Sequence, residues 1–157
     1  MDSSNPAFCK GSLHIPPCAL YTEHIMVTQK KVLCIEDDTF LVNLIMGKFS
    51  DAGILATGAH NGAEGLALVA LERPALIMLD LMLPDMRGND VLVQLKENPE
   101  TKDIPVIIFS NLGEKEEIEK ALAQGASAYL IKSSTLPGEV IEIVEKQLGI
   151  SPDKSTP

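Results

Sequence analysis

Between residues 31 and 149 the chain alternates short apolar runs with longer amphipathic segments. "KVLCI" (31–35) reads as a buried strand. "TFLVNLIMGKFSDAG" (39–53) carries Phe40, Leu41, Leu44, Ile45 and Phe49 near helical spacing, with Gly53 as a stop. The alternation then repeats. It predicts strands at 54–59, 75–80, 104–110 and 127–132, and helices at 61–74, 89–99, 114–126 and 136–149. The punctuation agrees with these bounds. Asn61 is an N-cap candidate, Pro74 ends the second helix, and Gly88 or Asn89 opens the third. Gly125 ends the fourth, while Pro137 sits in the first turn of the last helix and Gly149 closes it.

The strands are continuous apolar runs, as strands covered on both sides should be. Five β–α units predict an α/β fold, a doubly wound five-stranded parallel sheet with helices on both faces. In such sheets a ligand site lies beyond the carboxyl ends of the strands. Those ends carry the chemistry of this chain. The first strand runs into Glu36, Asp37 and Asp38, the third into Asp80, the fourth into Ser110 and the fifth into Lys132. Carboxylates gathered at one rim raise each other's pKa unless a cation lies between them. Their hard oxygens suit Mg²⁺, which takes few protein carboxylates. A lysine adds a second positive charge and a serine adds a donor. Such a set around one carboxylate can stabilise the charge of phosphoryl transfer. Asp80, embedded in the apolar run "LIMLDLMLPD", is then a nucleophile that forms an aspartyl-phosphate. Asp38 reads as a helix N-cap or a solvated charge.

Together these residues resemble the receiver domain of two-component response regulators. The resemblance spans about residues 30 to 149 and implies the (βα)5 flavodoxin-like receiver fold. "VLCIEDD" is similar to the family's acidic cluster and implies metal-binding roles for Glu36 and Asp37. "LIMLDLMLPDMRG" is similar to the phosphoacceptor strand and loop, with Asp80 as acceptor and Pro84 and Gly88 where that loop usually has them. It also implies that the Met82 backbone carbonyl binds the Mg²⁺. "VIIFSN" places Ser110 at the switch hydroxyl, and "AYLIK" places Tyr129 at the switch aromatic and Lys132 at the family lysine. The chain departs from the family at three points. Ser133 follows the lysine where proline is common, and a non-proline cis bond there would cost about 2.5–4 kcal/mol, so a trans bond is expected. Arg87 precedes Gly88, and Asn111 follows the switch serine where a small residue is common.

The implied function is a phosphorylation-dependent switch. A sensor histidine kinase or phosphotransfer protein would be the donor, and a downstream protein would meet the face of the fourth helix, fifth strand and last helix. The only catalysis implied is the domain's own Mg²⁺-dependent phosphotransfer and dephosphorylation. No output domain follows Gly149, which points to a single-domain regulator acting through protein contacts.

Composition narrows this picture without changing it. The 157 residues carry a net charge of −9, so nucleic acid and anionic membrane would both be repelled. At 45% hydrophobic residues the chain can build a core. The apolar runs are far short of a membrane span, and three unclustered cysteines make no disulfide framework, so a cytoplasmic protein is expected. Residues 1–28 lack periodicity and read as a flexible N-terminal extension, or as upstream sequence read from an early start codon. The receiver unit is 29–149, and 150–157 is a flexible tail. Cys9, His14, Cys18 and His24 match no compact zinc spacing, and Cys34 reads as a buried small hydrophobe.

Three other functions compete with the switch. A constitutive binding module of the same fold is motivated by Ser133 and Asn111. A Mg²⁺-dependent phosphatase needs a second aspartate soon after the nucleophile, where Met82 stands instead. A flavin site needs a hydroxyl- or Gly-rich phosphate loop after the first strand, and none follows.

Overall fold

A computed structural model describes residues 30–150. The expected extension at 1–28, the Cys9, His14, Cys18 and His24 set, and the tail from Ser151 lie outside the described residues. The elements run β1 (Lys31–Ile35), α1 (Thr39–Asp51), β2 (Leu55–Ala59), α2 (Gly62–Glu72), β3 (Leu76–Leu79), α3 (Gly88–Glu97), β4 (Val106–Ser110), α4 (Lys115–Ala123), β5 (Ala128–Ile131) and α5 (Pro137–Leu148). All strand pairs are parallel, in the order β2-β1-β3-β4-β5. This is the expected doubly wound sheet.

Strand side chains alternate between the two faces with period two. Val32 and Cys34 of β1, Leu76 and Met78 of β3, and Ile107 and Phe109 of β4 meet Ile45 and Phe49 of α1 and Val140, Val144 and Leu148 of α5. The complementary positions, Leu33 and Ile35, Ile77 and Leu79, Val106 and Ile108, pack on Val69 of α2, Val91, Leu92 and Leu95 of α3, and Ala121 of α4. Two apolar layers therefore enclose the three central strands, whose side chains are almost wholly buried. β2 differs from the expectation of a fully covered strand. Among the described residues it pairs with a neighbour on one side only, and Leu55 is 45% exposed.

Local chemistry sets the helix ends. Asp38 accepts the Leu41 N–H at the start of α1, and Asn61 accepts the Glu64 N–H at the start of α2. Glu139 reaches back to the Leu136 N–H at the start of α5. Several helices are shorter than the periodicity suggests. α2 stops at Glu72 because Arg73 takes a left-handed conformation (φ 46°) ahead of Pro74. α4 stops at Ala123, ahead of Gly125 with φ 103°.

The loop from β3 to α3 is held by close backbone contact. The Gly88 N–H donates to the Leu81 carbonyl at 2.9 Å, and Met82 and Arg87 form an antiparallel bridge. A Cβ on Gly88 would lie 2.2 Å from the Asp80 carbonyl oxygen and 2.6 Å from the Leu81 Cα. Both contacts are backbone, so neither can swing away. A Cβ on Gly47, in the exposed middle of α1, would meet nothing within 4 Å. Gly88→Ala is expected to destabilise the fold by roughly 2–4 kcal/mol through overpacking. Gly47→Ala should stabilise it by about 0.5–1 kcal/mol through helix propensity. Urea denaturation of the two variants checks both signs.

Candidate functional site

The two-residue period of the strands decides which side chains meet beyond the sheet. Glu36 shares the side of Val32 and Cys34, Asp80 that of Leu76 and Met78, and Lys132 that of Leu130. All three therefore project to the α1 and α5 side. Ile35 is paired with Leu79, so one further step of the register sets Glu36 beside Asp80. The Asp80 N–H donates to the Ile35 carbonyl at 3.0 Å, which continues the ladder to that residue.

Lys132 comes from β5, two strands away from β3. Its side chain crosses the end of β4 over Phe109, with Nζ 5.9 Å from the ring centroid. There it meets Glu36 Oε2 at 2.5 Å and Asp80 Oδ2 at 2.7 Å. Both carboxylates are buried. Asp37, exposed at the mouth, completes a group of three whose carboxylate oxygens lie within 4.8 Å of one another. Hard oxygens converging at that spacing fit a small divalent cation such as Mg²⁺.

The electrostatics follow from burial and pairing. Burial raises the Glu36 carboxyl above its ordinary range, Lys132 pulls it back, and the Asp80 charge raises it again. For Lys132, burial acts downward, but the bonds and charges of Asp80 and Glu36 outweigh it and hold the ammonium form above its ordinary range. Burial and the nearby Glu36 charge push the Cys34 thiol up to about 12, so it stays protonated and packs as a small hydrophobe.

Ser110 and Tyr129 lie on the other side of the strand ends, and one backbone segment joins them. The fully buried Ser110 Oγ accepts the Leu112 N–H at 3.3 Å, and the Tyr129 hydroxyl donates to the Leu112 carbonyl at 2.6 Å. Burial raises the Tyr129 phenol, with the neighbouring Ser110 hydroxyl acting against it. Met82 donates its N–H to Asp80 Oδ1 at 3.2 Å, and its side chain is 61% exposed. Among the described residues there is no cis peptide bond, and the Lys132–Ser133 bond is trans. Lys132 nevertheless reaches both carboxylates, so serine after the lysine does not keep it out of the pocket. Asn111 is exposed.

Sequence reasoning assigned no role to Asp85. Its carboxylate accepts the Gly62 N–H at 2.8 Å and the Ala63 N–H at 2.9 Å, across 22 or more residues of chain. These backbone donors at the start of α2 lower its pKa. Asp85 thereby ties the loop after Asp80 to a second helix. No local sequence signal marks the contact, because its partners are backbone groups far along the chain.

The chain is similar to several known proteins. The family model described as the response regulator receiver domain matches residues 32–145. The polar-differentiation response regulator DivK of Brucella anthropi is 32% identical over 120 residues, which cover 76% of this chain and 97% of DivK. The Francisella response regulator 1452 receiver domain is 32% identical with a TM-score of 0.71, covering 76% of this chain and 97% of that one. The phosphorylated cyanobacterial phytochrome response regulator RcpA is 27% identical with a TM-score of 0.68, covering 75% of this chain and 92% of that one.

Lys132 is the cation that offsets two buried carboxylates. Lys132→Met is expected to destabilise the fold by roughly 2–4 kcal/mol at neutral pH in Mg²⁺-free buffer. The loss should shrink on acidification. Lys132 lowers the Glu36 carboxyl that burial raises. In the variant this carboxyl therefore lies higher still, binds its proton in the folded state before the unfolded chain does, and regains stability as pH falls from neutral toward 4.5, the ordinary glutamate value. Thermal melts of both proteins across that range check the sign. A loss that grows on acidification would contradict it.

Proposed function

Because the chain belongs to the response regulator receiver domain family of two-component systems, we propose that it is a switch phosphorylated on Asp80 and acting through protein contacts. Signalling by phosphorylation is general to that family, and its receiver domains pair with kinases or phosphotransfer proteins. The observation that carries the assignment to Asp80 is its position. Of the two buried carboxylates paired with Lys132, it is the one at the end of the central strand β3, with Glu36 and Asp37 after β1 beside it.

In this reading Asp80 Oδ2 is held by Lys132, and Oδ1, held by one long hydrogen bond from Met82, is the attacking oxygen. The bond from Oδ1 to phosphorus forms as the P–N bond of a donor phosphohistidine breaks, and the imidazole leaves to take its proton from solvent. Lys132 stays beside the reacting group as a preorganised cation. Glu36, Asp37, Asp80 and the Met82 carbonyl would hold Mg²⁺, which when bound supplies charge neutralisation for the phosphoryl oxygens. Ser110 is placed to bond a phosphoryl oxygen after transfer, which would release the Leu112 N–H it now accepts. Tyr129, bonded to the same Leu112, would respond in turn. Such a change is a population shift between two packings. The output would reach a downstream protein through α4, β5 and α5.

The chain's chemistry is then limited to its own phosphotransfer and dephosphorylation. No helix among the described residues is long and apolar enough to cross a membrane. That and the charge of −9 support a cytoplasmic site of action away from nucleic acid and anionic lipid. The constitutive-module reading loses one of its two motives, since Lys132 reaches the pocket with Ser133 behind it.

The test is incubation with Mg²⁺ and acetyl phosphate followed by intact mass. One phosphoryl-sized increment is expected on the wild type and none on Asp80→Asn. An equal increment on both would remove the assignment. Lys132→Ala is expected to slow the reaction by about 100-fold, the usual effect of losing one preorganised charge at a reacting centre. Stopped-flow quench against acetyl phosphate measures it.

A further inference from the structure

Beside the acidic pocket lies a second recess, a cleft of about 830 Å³. One wall is the loop from β3 to α3, including Leu81, Pro84 and Met86, and the other begins at Leu112 after β4. The lining is apolar at its base, and the exposed Met82 stands at its mouth. Two methionines let such a surface repack around different side chains. Around this base stand Asp37, Asp85, Glu114, Glu116 and Glu117, with Arg87 as the one cation in the lining among the described residues. Asp85 is committed to the start of α2, and Glu117 accepts the Asn89 amide at 3.3 Å. Glu114 and Glu116 remain exposed on the α4 side.

Both walls are bonded to the residues of the switch. Met82 donates to Asp80 Oδ1, while Leu112 donates to Ser110 Oγ and accepts from the Tyr129 hydroxyl. A change at Asp80 or Ser110 must therefore alter a bond to one wall of the cleft.

We propose that this cleft, between the β3–α3 loop and the start of α4, docks a partner-protein segment presenting arginine or lysine beside an apolar side chain, with an affinity set by the state of Asp80. Charge complementarity selects this occupant. The apolar base takes the uncharged side chain, the carboxylate rim takes the cation, and an acidic segment or a nucleic acid would be repelled. The surface differs from the α4–β5–α5 face, because it lies on the side of α4 toward α3. The dependence on Asp80 rests on the phosphorylation proposed above. A phosphoryl group would add negative charge beside Met82 and draw the Ser110 hydroxyl from Leu112, so affinity for a cationic segment should rise.

The test is fluorescence anisotropy with a labelled Arg-Leu-Leu-Arg-Leu-Leu-Arg peptide, on the full chain with Mg²⁺, before and after acetyl phosphate. Intact mass follows the adduct in parallel. A peptide with serine for leucine reports charge alone. Phosphorylation is expected to tighten binding by about tenfold, within the usual range of coupling between sites. The double variant Glu114→Lys, Glu116→Lys alters only exposed side chains and should weaken binding by about tenfold. Amide shifts on peptide addition should centre on residues 81–87 and 112–117. Equal binding of the serine peptide, indifference to the double variant, or shifts centred on α5 would overturn the docking site. Unchanged affinity in protein with a verified adduct would overturn its dependence on Asp80 while leaving the phosphorylation reading intact. Absence of any adduct would instead overturn that reading and the dependence with it, and the double variant and amide shifts then decide the docking site alone.

Discussion

The arrangement of the functional site depends on one cation. Lys132 spans from β5 across the end of β4 to the two carboxylates that β1 and β3 deliver. Two acidic groups buried side by side repel each other and lose solvation, and both effects favour protonation. Lys132 lies between them and pairs with both charges. Burial still holds the Glu36 carboxyl above its ordinary range, against the pull of Lys132. Three carboxylates against one ammonium group leave excess negative charge there, which would favour a further cation. The same lysine also joins the carboxyl ends of β1, β3 and β5.

Around that centre the loops are constrained by backbone rather than by bulk. Gly88 lets α3 begin against the Asp80–Leu81 backbone, closer than any side chain would allow. Asp85 fastens the same loop to the start of α2 through two hydrogen bonds. These ties hold Met82, whose N–H bonds Asp80 Oδ1, close behind that carboxylate. On the opposite wall the Leu112 backbone is shared between Ser110 and Tyr129. The surface beside the pocket is therefore built from segments that cannot ignore what happens to Asp80. In the proposed switch, these bonds are the path by which a change of charge at Asp80 would reach that surface.

Much of this was legible in the sequence. The alternation of apolar runs and amphipathic segments identifies five strands and five helices, because burial on a sheet face or helix stripe imposes its period locally. The residues that follow the strands name the reactive groups, because parallel strands all end at one rim. Glu36, Asp37, Asp80 and Lys132 do meet there. Element ends were less legible. Arg73 stops α2 with a left-handed conformation that no residue type announces, and β2 is exposed because it lies at a sheet edge.

What the sequence by itself determined is the kind of fold and the identity of the pocket's charged groups, since periodicity and strand-end position are local properties. Only the tertiary structure decided the register that sets Glu36 beside Asp80, the path of Lys132 over Phe109, the tether of Asp85 and the shared bonds of Leu112. Each joins groups brought near by strand order and crossover packing. Several of the partners are backbone atoms, identical in every residue and therefore silent in a sequence. For the same reason the cleft beside the pocket has no linear signature: its walls come from loops after different strands, and its shape exists only once the sheet has fixed them.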